Sequence, residues 1–366
     1  MATNHIISKV TVDSFLDDEL LEKIKPVTEL LVDGWGTFIS KHSERLIVTR
    51  KGQSPQEASL STLQAVFISG QGVSLSSDVV EECAKRGIPI HFLDFSGKSL
   101  AGLYSSQLTG TVKTRREQLK AYSDERGVTL AKAFASGKIH NQINLLRYMS
   151  KNRAGKDPLL VDELKQTAAD MEALSDELKR LTATNIDSIR EQVLSLEGRA
   201  AVLYWEKARR LLLVEAGWDS REGQGATDLV NSLLNYGYGI LYSRIENALL
   251  LAGLDPYGGF THTDRPGKPS LVFDLIEEFR QPVVDRVVFA LLNLKTSLQQ
   301  DEAGLLLPDT RRLLAKKILE RLSEGRESYE SKKQTLQYIL FNQARHLATY
   351  VRGDLGHPYT PFECRW

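Results

Sequence analysis

The spacing of apolar residues changes once along the 366-residue chain, near position 110, and that change sets the fold class. Before it, apolar residues come in short β-type runs, Glu29-Leu-Leu-Val-Asp33, Gly36-Thr-Phe-Ile-Ser40, Arg45-Leu-Ile-Val-Thr49 and Ala65-Val-Phe-Ile-Ser69, parted by Gly, Ser, Gln and charged residues. These predict antiparallel strands. Ser76 to Arg86 predicts a helix capped by Ser76 or Ser77 and closed by Gly87, and Ile88-Pro-Ile-His-Phe-Leu-Asp94 a buried strand before a turn at Ser96-Gly97. Past Thr111, residues such as Leu130, Phe134, Ile139, Ile143 and Leu146 recur on three- and four-residue steps, the spacing of one helix face. A further seam, Leu160, Leu164, Met171, Leu174, Leu178 and Leu181, reads as packing against a neighbour.

The class is therefore α+β with two domains. A small antiparallel β-rich N-terminal domain, residues 28–110, precedes a larger all-α domain, residues 111–366, with the boundary at Thr109 to Val112. The length agrees, at roughly 100 to 200 residues per domain. Ahead of both, Phe15, Leu16, Leu20, Leu21 and Ile24 lie at helical spacing and Pro26 ends the run, so residues 1–27 predict an N-terminal helical arm.

Charge and cysteine content narrow the chemistry. No apolar run approaches the roughly 18 residues of a bilayer span, and Met1 to Lys9 carries no leader pattern, so the expectation is a cytoplasmic protein without a membrane partner. Cys83 and Cys364 alone build neither a disulfide framework nor a multi-cysteine zinc site, so a metal would be held by oxygen and histidine. Formal net charge is zero, yet Met1 to Gly110 carries −3 and Thr111 to Lys156 carries +8. The basic stretch, with Arg115, Arg116, Lys151 and Arg153, suits either a solvated helix face or contacts to a phosphate backbone.

Glycine and proline cluster at Leu254 to Pro269, between two long helical patterns, a loop long enough to be functional. It carries His262 and runs into a helix, Leu271 to Arg280, with Ser270 as the expected N-cap. Asp274 and Glu277 are three apart on that helix and share a face. One imidazole and two carboxylates suit Mg²⁺ or Mn²⁺; the same acids also suit an ordinary first turn favoured by the helix dipole. Upstream, Glu197 lies in an apolar helical run with Val193, Leu194, Ala201 and Tyr204, where a buried carboxylate needs either a cation or a salt bridge to Arg199, Arg209 or Arg210. No dinucleotide fingerprint, phosphate loop or Gly-x-Ser-x-Gly elbow occurs.

Taken together, these segments resemble the CRISPR-associated protein Cas one (Cas1) family. Its Glu-Gly-x-Ala-Ala-x-x-Tyr run is matched by Glu197 to Tyr204, its Asp-x-x-Asn-x-x-Leu-x-Tyr-Gly-Tyr run by Asp228 to Tyr238, its Gly-Leu-Asp-Pro loop by Gly253 to His262, and its Ser-Leu-x-x-Asp-Leu-x-Glu-x-Phe-Arg helix by Ser270 to Arg280. Gly72 to Ser77, Gly87 to Gly97, the Lys138-Ile-x-Asn-Gln142 segment, Gln343 to Leu347 and Tyr359-x-Pro-Phe362 extend the likeness from about Thr28 onward. Residues 1–27 match no part of the pattern, about 157–188 is a region that varies within the family, and Ala226 stands where a proline is common.

The resemblance implies a helical catalytic domain and a β domain that forms a homodimer, bound to a Cas two (Cas2) dimer in a heterohexameric complex on double-stranded DNA. In that reading the 3′-hydroxyl of an incoming fragment attacks a phosphodiester of the CRISPR repeat, and water in its place gives endonuclease activity. Glu197, His262 and Glu277 are the implied ligands of Mg²⁺ or Mn²⁺, with Asp274 supporting, and Arg280 or Lys268 offsetting charge at the phosphate. A stand-alone metal-dependent repair nuclease acting on branched DNA shares the same site and is the alternative.

Overall fold

The computed structural model describes residues 29–105, 112–151, 153, 155, 157–212, 217–223, 225–263 and 265–366. The expected arm, residues 1–27, and most of the expected domain boundary lie outside the described residues.

Strands β1 (Glu29–Asp33), β5 (Ala65–Ser69), β7 (Ile90–Leu93) and β8 (Ser99–Leu103) form one four-stranded sheet in that order. A second sheet has the order β4 (Gln56–Ser59), β3 (Arg45–Arg50), β2 (Thr37–His42), β6 (Val73–Leu75). The expected antiparallel pairing holds for β2–β3, β3–β4 and β7–β8, but β1–β5, β5–β7 and β2–β6 are parallel. The domain is mixed. The reason lies in β5, every residue of which is buried, as in a parallel strand covered on both faces, and in helix α1 (Ser77–Arg86), which lies in the connection from β5 to β7. Because β5 is paired on both sides, its edges are covered within the chain.

Alternation along these strands divides two cores. Val66, Ile68 and Ile90 face the β-domain core with Leu30, Val32, Val79 and Cys83, whereas Ala65, Phe67 and Leu93 join the core of the helical domain. The two domains thus share a sheet face. A buried ion pair between Glu29 and Arg244 and the Arg244 guanidinium over the Phe67 ring, 5.5 Å away, tie the same junction. Gly239 is required there, since a Cβ would strike the Gly97 carbonyl of the β7–β8 turn.

His91 sits in that junction, stacked on Phe67 at 5.1 Å, its ring nitrogens buried and without a hydrogen-bond partner among the described residues, and burial pushes its pKa from 6.5 down to about 4. Between those values the unfolded chain binds more protons than the folded one, so stability is lost as pH falls through the window. At roughly 1.4 kcal/mol per unit the full loss is about 3 kcal/mol. His91→Phe is expected to be more stable than the parent at pH 5, with the gap narrowing toward pH 7, by urea unfolding midpoints. Parallel curves for the two proteins would remove His91 as the source.

The helical domain is built on α3 (Glu125–Ser150), started by Asp124, whose side chain accepts from the Arg126 amide. It is buried on most of its circumference and packs against α4 (Pro158–Arg180) and α5 (Arg190–Leu211). Helix α2 (Val112–Ala121) precedes it, and α6 (Leu229–Leu251) follows α5. The Asp228…Asn231 pair noted in the sequence is the start of α6: Asp228 caps the Asn231 amide at 2.9 Å and accepts from its side chain at 2.7 Å. Beyond come α7 (Ser270–Leu275), α8 (Arg286–Asn293), α9 (Pro308–Ser323), and α10 (Leu336–Val351). The expectation of an all-α domain is corrected by a small hairpin, β9 (Arg326–Tyr329) and β10 (Lys332–Thr335). Among the described residues no helix is long and apolar enough to cross a membrane.

Candidate functional site

Three elements converge at the middle of α3. Helix α5 supplies Glu197, a 3₁₀ turn over Ile276–Glu278 after α7 supplies Glu277, and α3 itself supplies Lys138. The Lys138 ammonium lies 2.5 Å from Glu197 Oε1 and 2.9 Å from Glu277 Oε2. Both carboxylates are largely buried, at 12 % and 5 % exposure. Lys138 is the partner that buried Glu197 required; Arg199, Arg209 and Arg210 turn instead to Glu177, the Asp219 carbonyl and Glu163. Glu277 Oε1 also meets Arg280 at 3.0 Å, whereas Oε2 has no partner in hydrogen-bond geometry. Burial alone would push the Glu277 carboxyl up; Arg280, Lys138 and His262 more than offset it and hold it well below the ordinary carboxylate range.

The Gly/Pro-rich loop is wound round Asp274. That carboxylate accepts from the amides of Phe260, Thr261 and His262 at 2.6, 3.1 and 3.0 Å, and from His262 Nδ1 at 2.7 Å. Both of its oxygens are thus taken. Nε2 is then the ring nitrogen that remains for a ligand, the arrangement in which a carboxylate orients an imidazole through its other nitrogen. Gln118 pins the loop from α2 by donating to the carbonyls of Asp255 and Gly258, each at 2.8 Å. Gly259 has no alternative, since a Cβ would lie 2.5 Å from that of Ser270. The expected N-cap is corrected: Pro269 occupies that position, and the Ser270 hydroxyl donates back to the Thr263 carbonyl at 3.1 Å. The helix expected over Leu271 to Arg280 also ends early, tightening at Ile276 and then widening into a π-helix over Arg280–Asp285. There Tyr204 and Tyr238 both donate to buried Asp285, and Arg280 lies over the Tyr238 ring at 4.6 Å.

Behind Glu277, the next residue anchors a strap. The Glu278 carboxylate accepts from Tyr359 OH, Gln343 Nε2 and the Phe362 amide, each at 2.8 Å. Burial pushes its pKa up to about 7 against the pull of these donors. Asn141 on α3 donates to the carbonyls of Glu278 and Phe362, at 2.8 and 2.9 Å, and accepts from the Cys364 amide at 2.7 Å. Segment 358–366 therefore lies along α3 and against the turn that carries Glu277.

Beside the site opens a cavity of about 620 Å³, reached through Arg280. Lys98, Arg221, Arg265, Lys268 and Arg280 line it together with Tyr238, Tyr242 and Phe273, and no carboxylate does among the described residues. Lys268 lies over Phe273 at 5.5 Å. Of the remaining basic residues, Arg115 and Arg116 are exposed on α2 and make no hydrogen bond or ion pair among the described residues. Lys151 and Arg153 instead donate to the carbonyls of Trp366 and Leu211, each at 2.9 Å. Arg115 and Arg116 belong to α2, ahead of α3, whereas Lys151 and Arg153 follow the C-terminal end of α3. Of the +8 segment, Lys138 turns inward and belongs to the centre.

The site holds two buried carboxylates and an oriented imidazole; among the described residues no three His, Cys, Asp or Glu side chains are gathered closely enough to hold a metal ion as they stand, Lys138 lying between the two glutamates. The donor set, two carboxylates bridged by one ammonium with an imidazole close by, is hard oxygen plus nitrogen and fits Mg²⁺ or Mn²⁺ in the place of that ammonium. A mixed β domain sharing a sheet face with a helical domain that carries a Glu–Glu–Lys cluster and an Asp–His pair defines the class. Residues 30–320 match the family model described as CRISPR associated protein Cas1, and the chain belongs to that family. It is 36 % identical over 348 residues to CRISPR-associated endonuclease Cas1 1 of Archaeoglobus fulgidus, covering 92 % of this chain and 99 % of the relative. Among solved structures, a casposase bound to integration product matches with TM-score 0.78 at 24 % identity, over 92 % of this chain and 94 % of that one. A Cas6-RT-Cas1–Cas2 complex matches with TM-score 0.72 at 23 % identity, over 92 % of this chain and 36 % of that one.

Proposed function

We propose that this chain is a metal-dependent DNA integrase and endonuclease of CRISPR adaptation. The observation that carries the reading is the convergence of Glu197 and Glu277 beside His262, joined through Arg280 to a cavity lined by five cations. The endonuclease named in Archaeoglobus fulgidus supports it.

Glu197, His262 and Glu277 would hold Mg²⁺ or Mn²⁺, and Asp274, its oxygens already engaged, acts as a positioning residue for His262. When bound, the ion supplies charge neutralisation at a phosphate oxygen and favours the ionised form of an attacking hydroxyl. Arg280 and Lys268 meet the negative charge that builds on the phosphate, Arg280 held in place by Tyr238. The 3′-oxygen of an incoming strand forms the new bond to phosphorus as the old P–O bond of the repeat breaks, so one phosphodiester replaces another and no ATP is needed. Water in place of the 3′-hydroxyl gives hydrolysis. Joining both ends of a fragment needs two centres at a fixed separation, which a homodimer bound to a Cas2 dimer provides.

A half-site integration assay on a supercoiled plasmid bearing a repeat, with and without Cas2 and with Mn²⁺ or EDTA, tests this. Joined product in Mn²⁺ alone is expected; cleavage of branched DNA with no joined product would favour a repair nuclease instead. Arg115→Glu with Arg116→Glu is expected to weaken binding to unrelated duplexes equally and to flatten the salt dependence by roughly one unit of slope per lost phosphate contact. An unchanged slope would make these arginines a solvated surface.

A further inference from the structure

The centre already contains a cation of its own. We propose that Lys138 is a resident counter-ion, holding the place between Glu197 and Glu277 that a divalent cation takes, and that the cation displaces it. This rests on the proposed function, since it concerns the same two carboxylates.

Geometry carries it. One ammonium reaches Glu197 Oε1 at 2.5 Å and Glu277 Oε2 at 2.9 Å, so it occupies the space where oxygen ligands from both residues would meet a metal. An ammonium and a divalent ion repel each other and cannot share that space. Without either, Glu197 would lose its partner and face a second carboxylate, Glu277, that has Arg280 alone to offset it, which is why an empty site needs a stand-in.

Lys138 is also the cation that can move. Its helix is fixed by Asn141 and by contact of Gly137 with Pro361, but the four-carbon stem lets the ammonium swing without backbone motion. Its hold on Glu277 Oε2 lacks hydrogen-bond geometry. Arg280, the other cation on Glu277, is held over the Tyr238 ring and keeps its place. Tethered by its stem, the displaced ammonium stays within the centre and is free to pair with a phosphate oxygen of the DNA. A lysine that served only as a structural ion pair would behave differently, because its loss would weaken metal binding along with everything else.

The experiment is Mn²⁺ titration of the full chain without DNA, followed by electron paramagnetic resonance of the free ion, for the parent, Lys138→Met and Lys138→Gln. Removal of the competitor is expected to tighten Mn²⁺ binding by roughly tenfold or more, within the usual range of coupling between two occupants. It should also enlarge the rise in melting temperature on adding Mn²⁺, while cleavage at saturating Mn²⁺ falls. Opposite movement of metal affinity and cleavage is the signature. If the parent binds Mn²⁺ and both variants bind it equally or more weakly, displacement is overturned and the metal centre stands. If the parent binds no Mn²⁺, the metal reading itself fails, and this inference with it. Should Lys138→Met not fold, Lys138→Gln carries the comparison, because its amide hydrogen-bonds one carboxylate without bringing a charge.

Discussion

Glu277→Ala is expected to lower DNA cleavage and strand transfer by roughly 10³-fold, the scale of removing one preorganised electrostatic group, and Glu197→Ala to do the same. Glu197→Ala leaves Lys138 paired with Glu277, whereas Glu277→Ala takes from Arg280 the carboxylate it meets. After loss of Glu277, Lys138 keeps Glu197 and Arg280 keeps the Tyr238 ring but loses its carboxylate, so the thermal transition should fall for Glu277→Ala and stay closer to that of the parent for Glu197→Ala. Asp274→Ala belongs to a different class. It acts through His262, so activity is expected to fall by roughly 10- to 100-fold, and it strips three backbone amides of their acceptor, so the loop loosens as well. Near-parental activity of Glu277→Ala in Mn²⁺ would strike that residue from the ligands.

The second large effect falls on stability. Asn141→Ala removes three buried hydrogen bonds and leaves the Glu278 and Phe362 carbonyls and the Cys364 amide without their partner. At ~1 kcal/mol or more for each orphaned group, the expected cost is about 3 kcal/mol. Urea unfolding gives the total, and hydrogen exchange at Phe362 and Cys364 localises it. An unchanged midpoint would mean that the strap is held by its apolar residues alone.

Much of this was legible in the sequence, and the gaps have physical causes. The switch in apolar period placed the β-rich and helical parts, and Gly87 marked a real helix end. Strand direction was not legible, because pairing is decided by partners far along the chain; the one local sign was the unbroken apolar run at β5. Spacing brought Asp274 and Glu277 to one helix face, yet their jobs diverge because the loop donates three amides to one of them, and backbone donors leave no trace in side-chain type. The charge sum over Thr111 to Lys156 concealed its most consequential member. Lys138 was one cation among eleven, and only the packing of α3 against α5 sends it inward. The sign available was its isolation among Phe134, Ala135, Ile139, Asn141 and Gln142, all buried.

The strap also sets an order of events during synthesis. A ribosome makes Glu197, His262 and Glu277 well before Pro358 to Trp366, and domains fold as their residues emerge. A nascent chain that already holds every proposed ligand still has Asn141 without two of its partners and Glu278 without Tyr359 and Phe362. The turn carrying Glu277 is then unbraced on one side. Bracing of the proposed centre thus waits on residues translated after every one of its proposed ligands.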